Sequence, residues 1–479
     1  MINAFHFRHA PFQALTTAVI LVLVFPAFFQ HGMFMDGTQY AVVARNMAEG
    51  KGTFWFPFLS ASWEKHGQNC FLEHPPLAYW LQSWFFRIFN SSIYSERLYA
   101  LVTFLLSAQF IRMIWRLMFK GNELRYFSWL PVLLWAVIPT VYWSYNNNML
   151  ENTVSVFVLA AVFFAILSFQ NKKNALLYLW LSGSCVFLAI LTKGITGLFP
   201  LVVVFIYSWQ FRSFSFFETV KKTLAITLVP TLLFTALLYF SDEAYKSLMF
   251  YFKERLVFRV NNTAQVESRW LVLWWLISDL IVPAGLILLF YLFGKWRQLK
   301  KSANLFSKHV LFFAFVGLAG TLPLVLTFVQ RAVYYAPALP YFALSLSFLI
   351  LPVIQKWNEK PDIATTRYGL MFSWLLVAGA AIYPAMQFGK TSRDEEVLKE
   401  VHVLGKELKK DAVVGVPYSI YDNWDFQFYL LRYYSITLNP YPGMYQYKML
   451  ESSRNMDDAA YSEMKEITLS NYKIYKLRN

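Results

Sequence analysis

Long uninterrupted apolar runs recur along most of this chain and limit its possible folds more than any other feature. The runs are roughly 15 to 24 residues long, close to the length with which a helix crosses a bilayer. Only 15% of the residues are charged, whereas a soluble chain averages about a quarter. Because the runs are continuous rather than alternating, they predict helices and not a barrel. We therefore predict an all-α polytopic membrane protein.

The first apolar run, 11–29, is long enough to span and lacks a small-residue cleavage site. It is therefore predicted to be a retained helix and not a signal peptide. Cys70 and Cys185 are too few for a disulfide framework or a metal cluster, and we expect both to be inert.

Basic residues predict how the chain is oriented. They cluster in five loops, which the positive-inside rule assigns to the cytoplasm. These loops are 112–125, 172–173, 212–222, 295–308 and 356–367. The turns between them then face outside, namely 142–151, 191–195, 241–270 and 329–334. The net charge of +15 thus indicates membrane orientation, and no nucleic-acid partner is expected.

The segment 77–89 is apolar but short, and it contains Gln82, Ser83 and Arg87. It fits an interfacial or re-entrant helix better than a span. With this segment left out, we expect about 11 to 13 transmembrane helices, the N-terminus inside and the C-terminus outside.

The composition changes after the last apolar run. Acidic and basic residues balance in 390–479, so we predict a membrane domain over 1–389 and a small extracytoplasmic α/β domain over 390–479. Its predicted elements are helix 393–410 (Val397, Val401, Leu404 and Leu408 on one face), strand 413–417, helix 424–433 and strand 472–477. No nucleophile elbow, phosphate loop or metal spacing occurs in it, so we interpret it as a lid or docking domain.

Ionisable residues predicted on the outer side suggest a chemistry. Asp36 lies seven residues beyond Phe29, at the membrane surface, and several cations share its side. Ionisable groups near the bilayer core are costly and usually face a cavity. An acceptor that attacks a sugar carbon needs a carboxylate to take its proton, and an arginine or lysine can stabilise a phosphate leaving group. Glycosyl transfer from a lipid-phosphate sugar requires both.

Four motifs in order resemble those of the GT-C superfamily. They are Asp-Gly-Thr-Gln-Tyr at 36–40, Glu-His-Pro-Pro-Leu-Ala-Tyr-Trp at 73–80 with Glu-Arg at 96–97, Leu-Thr-Lys-Gly at 191–194, and the segment 331–340. The chain resembles the branch containing the lipid A aminoarabinose transferase and the protein mannosyltransferases. This resemblance implies a GT-C fold with a large first external loop, polyprenyl-phosphate sugar donors, and Asp36 as the catalytic base.

The resemblance and the outer placement together nominate substrate-binding residues. They are Tyr40, Glu73, His74, Arg97, Glu151, Lys193, Arg259, Arg331 and Tyr334. Two departures stand out: Gly37 replaces a second acid, and His74 stands where relatives often carry lysine. Structural alternatives remain open, since Asp36 could cap a helix beginning near Thr38 and Lys193 could be a membrane anchor.

We therefore expect a glycosyltransferase of the bacterial inner membrane whose active site faces the periplasm. Its partners would be membrane lipids, a polyprenyl-phosphate sugar donor, and a lipid, glycan or protein acceptor. No cofactor is implied, and metal participation stays open. One alternative is a protein O-mannosyltransferase. Another is a lipid-linked sugar transporter or flippase, although no inverted repeat is visible and the polar residues lie on one side.

Overall fold

The computed structural model describes residues 2–63, 69–257, 266–293, 306–358 and 363–478. In the first 385 residues the regular elements of these ranges are helical. The α-helices are α1 (Ile2–Leu23), α2 (Pro26–Phe29), α3 (Met35–Ala48), α4 (Leu77–Phe89), α5 (Ser95–Met118), α6 (Trp129–Ala136), α7 (Pro139–Asn146), α8 (Leu150–Gln170), α9 (Ala175–Lys193), α10 (Val203–Phe211), α11 (Phe216–Phe240), α12 (Asp242–Phe250), α13 (Leu271–Phe293), α14 (Ser307–Thr321), α15 (Leu339–Asn358) and α16 (Ile363–Ala385). A π-helix, Tyr251–Val257, continues α12, and a 3₁₀ helix, Ala332–Ala338, leads into α15.

The membrane body contains, within the described ranges, eight helical stretches long and apolar enough to cross a bilayer. The bent pair Glu123–Ala136 and Pro139–Asn146 would be a ninth, and His9–Leu23 and Phe199–Phe211 are shorter apolar helices. The all-α polytopic architecture is thereby confirmed. The predicted number of spans is reached, at its lower end, only when the bent pair and both shorter helices are counted.

The segment between α2 and α5 holds α3 and α4, which pack against each other. Helix α4 has the predicted bounds and is not among the stretches long enough to span. Its buried residues include Tyr79 and Gln82. Almost every residue of α3 beyond its first turn is buried, so this helix is enclosed by protein and not laid on a surface.

The helical hairpin of α8 and α9 forms one side of the candidate functional site. Helix α8 is apolar and mostly buried, and α9 packs along it. Because the two helices are joined by a short turn, the end of α9 returns to the beginning of α8. Glu151 in the first turn of α8 therefore meets Lys193 at the end of α9.

The C-terminal part forms a small α/β domain with a core of its own. Its helices are α17 (Glu395–Glu407), α18 (Tyr418–Tyr421) and α19 (Trp424–Tyr434), and its strands are β1 (Val413–Gly415), β2 (Thr437–Asn439), β3 (Tyr447–Glu451), β4 (Tyr461–Glu463) and β5 (Tyr472–Leu477). The strand order is β2-β1-β3-β5-β4, with β1 parallel to β2 and β3, and β5 antiparallel to β3 and β4. The sequence predicted α17, β1, α19 and β5 but missed α18, β2, β3 and β4. On α17 the buried residues include Leu398, while the predicted core residue Val397 is partly exposed.

A buried ion pair joins this domain to the membrane body. The Arg432 guanidinium on α19 donates to both carboxylate oxygens of Glu96, at 3.1 and 2.7 Å. The same guanidinium donates to the carbonyls of Ser91 and Ser92. Both charged side chains are at most 3% exposed. Removing one partner of such a pair costs roughly 3–5 kcal/mol, so the domain is docked and not merely tethered.

The orientation of the chain can be tested with reporter fusions. A periplasmic reporter fused after Lys390 should be active, because the predicted C-terminal domain lies outside. The same reporter fused after Lys173 should be inactive, because that basic loop is predicted to stay in the cytoplasm. The opposite pattern would place the candidate site on the cytoplasmic side.

Candidate functional site

Asp36 occupies the first turn of α3, which begins at Met35. The capping position is Phe34, and no side chain caps this end, so Asp36 is not an N-cap. One Asp36 carboxylate oxygen accepts a hydrogen bond from Arg331 at 3.0 Å. The two side chains are 22% and 39% exposed, so the pair remains accessible to a substrate. A carboxylate in a first helical turn is also favoured by the helix dipole.

A second ion pair lies deeper in the protein. Lys193 pairs with Glu151, and their side chains are only 6% and 1% exposed. The Lys193 ammonium lies 4.9 Å from the centre of the Tyr334 ring, in cation–π geometry. Arg331 is the residue that precedes the 3₁₀ helix Ala332–Ala338, and Tyr334 lies within that helix. One short segment thus brings a cation to Asp36 and an aromatic ring to Lys193.

A third group comes from the 73–80 motif. Glu73 pairs with Arg255 of the π-helix. The His74 ring lies 6.2 Å from the Tyr40 ring and 6.4 Å from the Tyr251 ring, measured between centroids. The Tyr251 hydroxyl rests against Gly194, where a Cβ would overlap it. Gly194 also has a φ of +70°, so both its backbone and its contact require glycine.

The electrostatics of the buried tyrosines connect these groups. Burial raises the pKa of Tyr40 well above its usual value, and the charges of Asp36 and Glu151 raise it further. Burial likewise raises the pKa of Tyr79, which also senses Glu73, Asp36 and Glu151. Both phenols therefore stay protonated and neutral at physiological pH. Asp36 and Glu151 thus act on both tyrosines, and Glu73 acts on Tyr79.

Two buried polar atoms of this cluster lack a hydrogen-bond partner among the described residues: the Tyr79 hydroxyl and one carboxylate oxygen of Glu151. Leaving such groups unsatisfied costs roughly 1–3 kcal/mol each. Unpaired buried polar groups are rare in folded proteins, and a substrate with hydroxyl or amino groups would satisfy both.

Most of the predicted site residues are brought together. Asp36, Tyr40, Glu73, His74, Glu151, Lys193, Arg331 and Tyr334 all belong to this cluster. Arg259 lies outside the described residues. Arg97 is placed differently: its two terminal amino groups donate to the backbone carbonyls of Asn146 and Gly32 and it is buried, so its role in substrate binding stays a prediction. Its guanidinium holds the loop before α3 instead of contacting the cluster.

The sequence analysis missed three contributors: Tyr79, Tyr251 and Asp279. Asp279 is buried in the middle of α13, where one oxygen accepts from the Tyr335 hydroxyl at 2.8 Å and the other from the Thr140 amide at 3.3 Å. It therefore anchors the 3₁₀ helix that follows Arg331. A carboxylate within an apolar span was the available signal, since such residues are usually functional. Tyr79 lies within the 73–80 motif, which was the available signal for it, whereas Tyr251 carried none, as the chain has 29 tyrosines.

No group of three or more histidine, cysteine, aspartate or glutamate side chains is placed to hold a metal ion in the part of the chain that the structure describes. The site as described consists of acids, cations and neutral phenols. Such a set can accept a proton, bind an anion and bond to hydroxyl groups.

Comparison with known proteins shows which sequences and folds the chain is similar to. Residues 73–240 match the profile of the dolichyl-phosphate-mannose-protein mannosyltransferase family. A curated relative, undecaprenyl phosphate-alpha-4-amino-4-deoxy-L-arabinose arabinosyl transferase 1 of Proteus mirabilis, is 26% identical over 343 residues. That alignment covers 68% of this chain and 56% of the relative, so the chain spans little more than half of that protein's length.

Solved structures extend the likeness to almost the whole chain. ArnT from Cupriavidus metallidurans bound to undecaprenyl phosphate superposes with a TM-score of 0.61 at 12% identity, covering 96% of this chain and 97% of ArnT. The archaeal oligosaccharyltransferase of Archaeoglobus fulgidus gives 0.54 at 12% identity, covering 91% and 64%. The chain shares the fold of these proteins. At these identities the structures establish the GT-C fold, and the activity has to be argued from the site.

The glycine after Asp36, where many GT-C relatives carry an acid, has a packing reason. A Cβ at Gly37 would overlap the Asn147 carbonyl. The Gly37 carbonyl accepts from the Asn148 amide group at 3.2 Å, and Asn148 in turn accepts from Gln82 at 2.7 Å. The loop 146–148 is therefore packed directly on the first turn of α3, and no side chain fits between them.

Replacing Gly37 should disturb both stability and turnover. In Gly37→Ala the new methyl group must displace the Asn147 backbone, at a cost of roughly 1–3 kcal/mol. The matched control is Gly285→Ala in α13, where a Cβ would meet nothing within 4 Å. Thermal unfolding of the detergent-solubilised protein should show a lower midpoint only for Gly37→Ala. Equal midpoints for the two variants would mean that the loop 146–148 moves aside for the added methyl group without a measurable cost in stability.

Proposed function

We propose that this chain transfers a sugar from a polyprenyl-phosphate donor to an acceptor at the outer face of the bacterial inner membrane, with Asp36 as the base. The observation that carries the proposal is the accessible Asp36–Arg331 pair beside buried, unsatisfied polar atoms of Glu151 and Tyr79. The superposed ArnT structure holds undecaprenyl phosphate, which supports a donor of this class. The basic loops support the periplasmic side.

The residues suggest the following chemistry. An acceptor oxygen or nitrogen attacks the anomeric carbon of the sugar while its proton passes to the Asp36 carboxylate. The bond between that carbon and the phosphate oxygen breaks, and polyprenyl phosphate leaves with the bonding electrons. Arg331 orients Asp36 through one amino group, and its guanidinium carries further N–H donors that a phosphate can accept from.

The sugar would lie over the deeper part of the cluster. Glu151 can accept from a hydroxyl or an amino group, and the neutral Tyr79 phenol can donate to or accept from one. Tyr40, kept protonated by burial, offers another neutral donor. These groups fit a polar, uncharged or cationic sugar ring better than a second anion.

Protein O-mannosyl transfer is the second candidate, and the match of 73–240 to the mannosyltransferase family favours it. The two candidates differ in sugar and acceptor and share the same base. Incubating the purified protein in liposomes with labelled undecaprenyl-phosphate aminoarabinose or mannose, and with bacterial envelope lipid or protein as acceptor, separates them. Release of undecaprenyl phosphate supports an enzyme, and translocation of intact donor without release would indicate a flippase.

The role of Asp36 predicts a large effect of a small change. Asp36→Asn keeps the size of the side chain but cannot take a proton, so turnover should fall at least about 100-fold. Donor binding, measured with labelled donor in the same liposomes, should persist. Asp458→Asn serves as a control, because Asp458 is a half-exposed carboxylate that pairs with Lys448 within the C-terminal domain, and it should keep normal turnover. Near-normal turnover by Asp36→Asn would refute the assignment.

Lys193 can be tested without confusing its structural and binding roles. Lys193→Met alone leaves Glu151 buried without its cation, which should cost roughly 3–5 kcal/mol of stability. The double variant Lys193→Met/Glu151→Gln removes both charges and should regain most of that stability. If Lys193 also attracts the donor phosphate, the double variant should keep a donor KM raised about tenfold or more above that of Glu151→Gln alone, which controls for the loss of the Glu151 carboxylate. A stable double variant with an unchanged donor KM would limit Lys193 to a structural role.

A further inference from the structure

One helix of the C-terminal domain lies along the helix that carries Asp36. Helix α19 packs against α3, and two polar anchors join them near opposite ends of α3. The first anchor is Tyr429, whose hydroxyl oxygen accepts from the Met33 amide at 2.8 Å. The Tyr429 hydroxyl can donate its proton to the Met33 carbonyl or to the Asp394 carboxylate. Its oxygen lies 2.6 Å from the carbonyl oxygen and 2.9 Å from the carboxylate oxygen. Tyr429 is 1% exposed, so water does not compete for these bonds.

The second anchor is Arg45 near the end of α3. One of its amino groups donates to the carbonyls of Leu431 and Arg432, at 2.6 and 2.9 Å. These carbonyls belong to the last turn of α19, where a cation is favoured by the helix dipole. Arg45 is 3% exposed. The same helix of the C-terminal domain thus fixes both the beginning and the end of α3.

The loop that leads into α3 is also bonded to the chain entering the C-terminal domain. The His31 amide donates to the Lys390 carbonyl at 2.8 Å, and the Ser392 amide donates back to the His31 carbonyl at 2.9 Å. Gly32, with a φ of +88°, packs against the backbone of Arg393. From the opposite side, the Phe34 amide donates to the Asn147 side chain at 2.8 Å. The domain therefore holds the chain at Met33, two residues before α3 begins.

We propose that Tyr429 is a positioning residue for Asp36, so that the C-terminal domain is part of the catalytic apparatus and not only a cover. Asp36 follows Met33 by three residues and has no capping side chain before it. The direction of its carboxylate therefore depends on how the Met33 backbone is held. Displacing a catalytic group by about 1 Å can cost as much as 10²-fold in rate. This inference rests on the proposed role of Asp36 as the base.

The test is Tyr429→Phe, which removes only the hydroxyl. We expect kcat to fall about tenfold with an unchanged KM for labelled undecaprenyl-phosphate sugar, because the phosphate-binding cations stay in place. The matched control is Tyr434→Phe on the same helix, whose hydroxyl bonds to His402 at 2.8 Å within the C-terminal domain. That control should retain kcat and show whether loss of a tyrosine hydroxyl in α19 matters by itself.

A double variant separates positioning from a general loss of structure. In the Asp36→Asn background, Tyr429→Phe should not lower the residual turnover further, because the group it positions is already lost. A tenfold fall in that background as well would overturn the inference. If the single variant Tyr429→Phe has a normal kcat while the single variant Asp36→Asn is inactive, only the positioning role of Tyr429 is overturned. Normal turnover by Asp36→Asn would refute the base assignment and this inference with it.

If Tyr429→Phe folds poorly, a second variant at the other anchor tests the same inference. Arg45→Lys keeps the charge but loses the planar fork, in which one amino group donates to both carbonyls of α19 and the other donates to the Asn46 side chain. It should lower kcat in the wild-type background and leave the residual turnover of Asp36→Asn unchanged. A wild-type kcat for Arg45→Lys would show that α3 holds its place without this anchor, contrary to the inference.

Discussion

A charge that is withdrawn from water beside a bilayer needs an opposite charge, and this requirement organises the face of the protein that carries Asp36. Asp36 meets Arg331, Glu151 meets Lys193, Glu73 meets Arg255 and Glu96 meets Arg432. In every pair the partners come from distant parts of the sequence. The pairs therefore do two things together: they tie the loops and helix ends into one surface, and they collect the acids and cations that the proposed reaction uses.

The four pairs differ in how far their side chains are buried, and this difference suggests that they have different roles. The Glu96–Arg432 and Glu151–Lys193 pairs are almost fully buried, where losing one partner is costly. The Asp36–Arg331 pair is partly exposed and can exchange contacts with a substrate at a lower cost. A proton-transfer site needs buried, rigid pairs next to an accessible one. The reacting group must be held in place by its surroundings and still be reached by the substrate.

The C-terminal domain is tied into this arrangement through α19. Sequence alone suggested a lid or docking domain, since no catalytic motif occurs in it. Arg432 docks the domain by pairing with Glu96 at the start of α5. Tyr429 on the same helix also bonds to the Met33 backbone, shortly before Asp36, so docking is only part of the domain's role. An element without a recognisable motif can still shape a site when it determines where another element begins.

Apolar run length, the basic loops and the four ordered motifs were enough to predict a helical membrane protein of GT-C type and to nominate Asp36, Glu151, Lys193, Arg331 and Tyr334. These features are readable because bilayer thickness dictates run length and because the motifs are contiguous. The partners could not be read in this way. The pairing of each cation with its acid, the burial of Arg97 among carbonyls, and the contacts of Tyr79, Asp279 and Tyr429 join residues that are tens to hundreds of positions apart. Only the packing of the helices brings them within hydrogen-bonding distance, so the tertiary structure decided them.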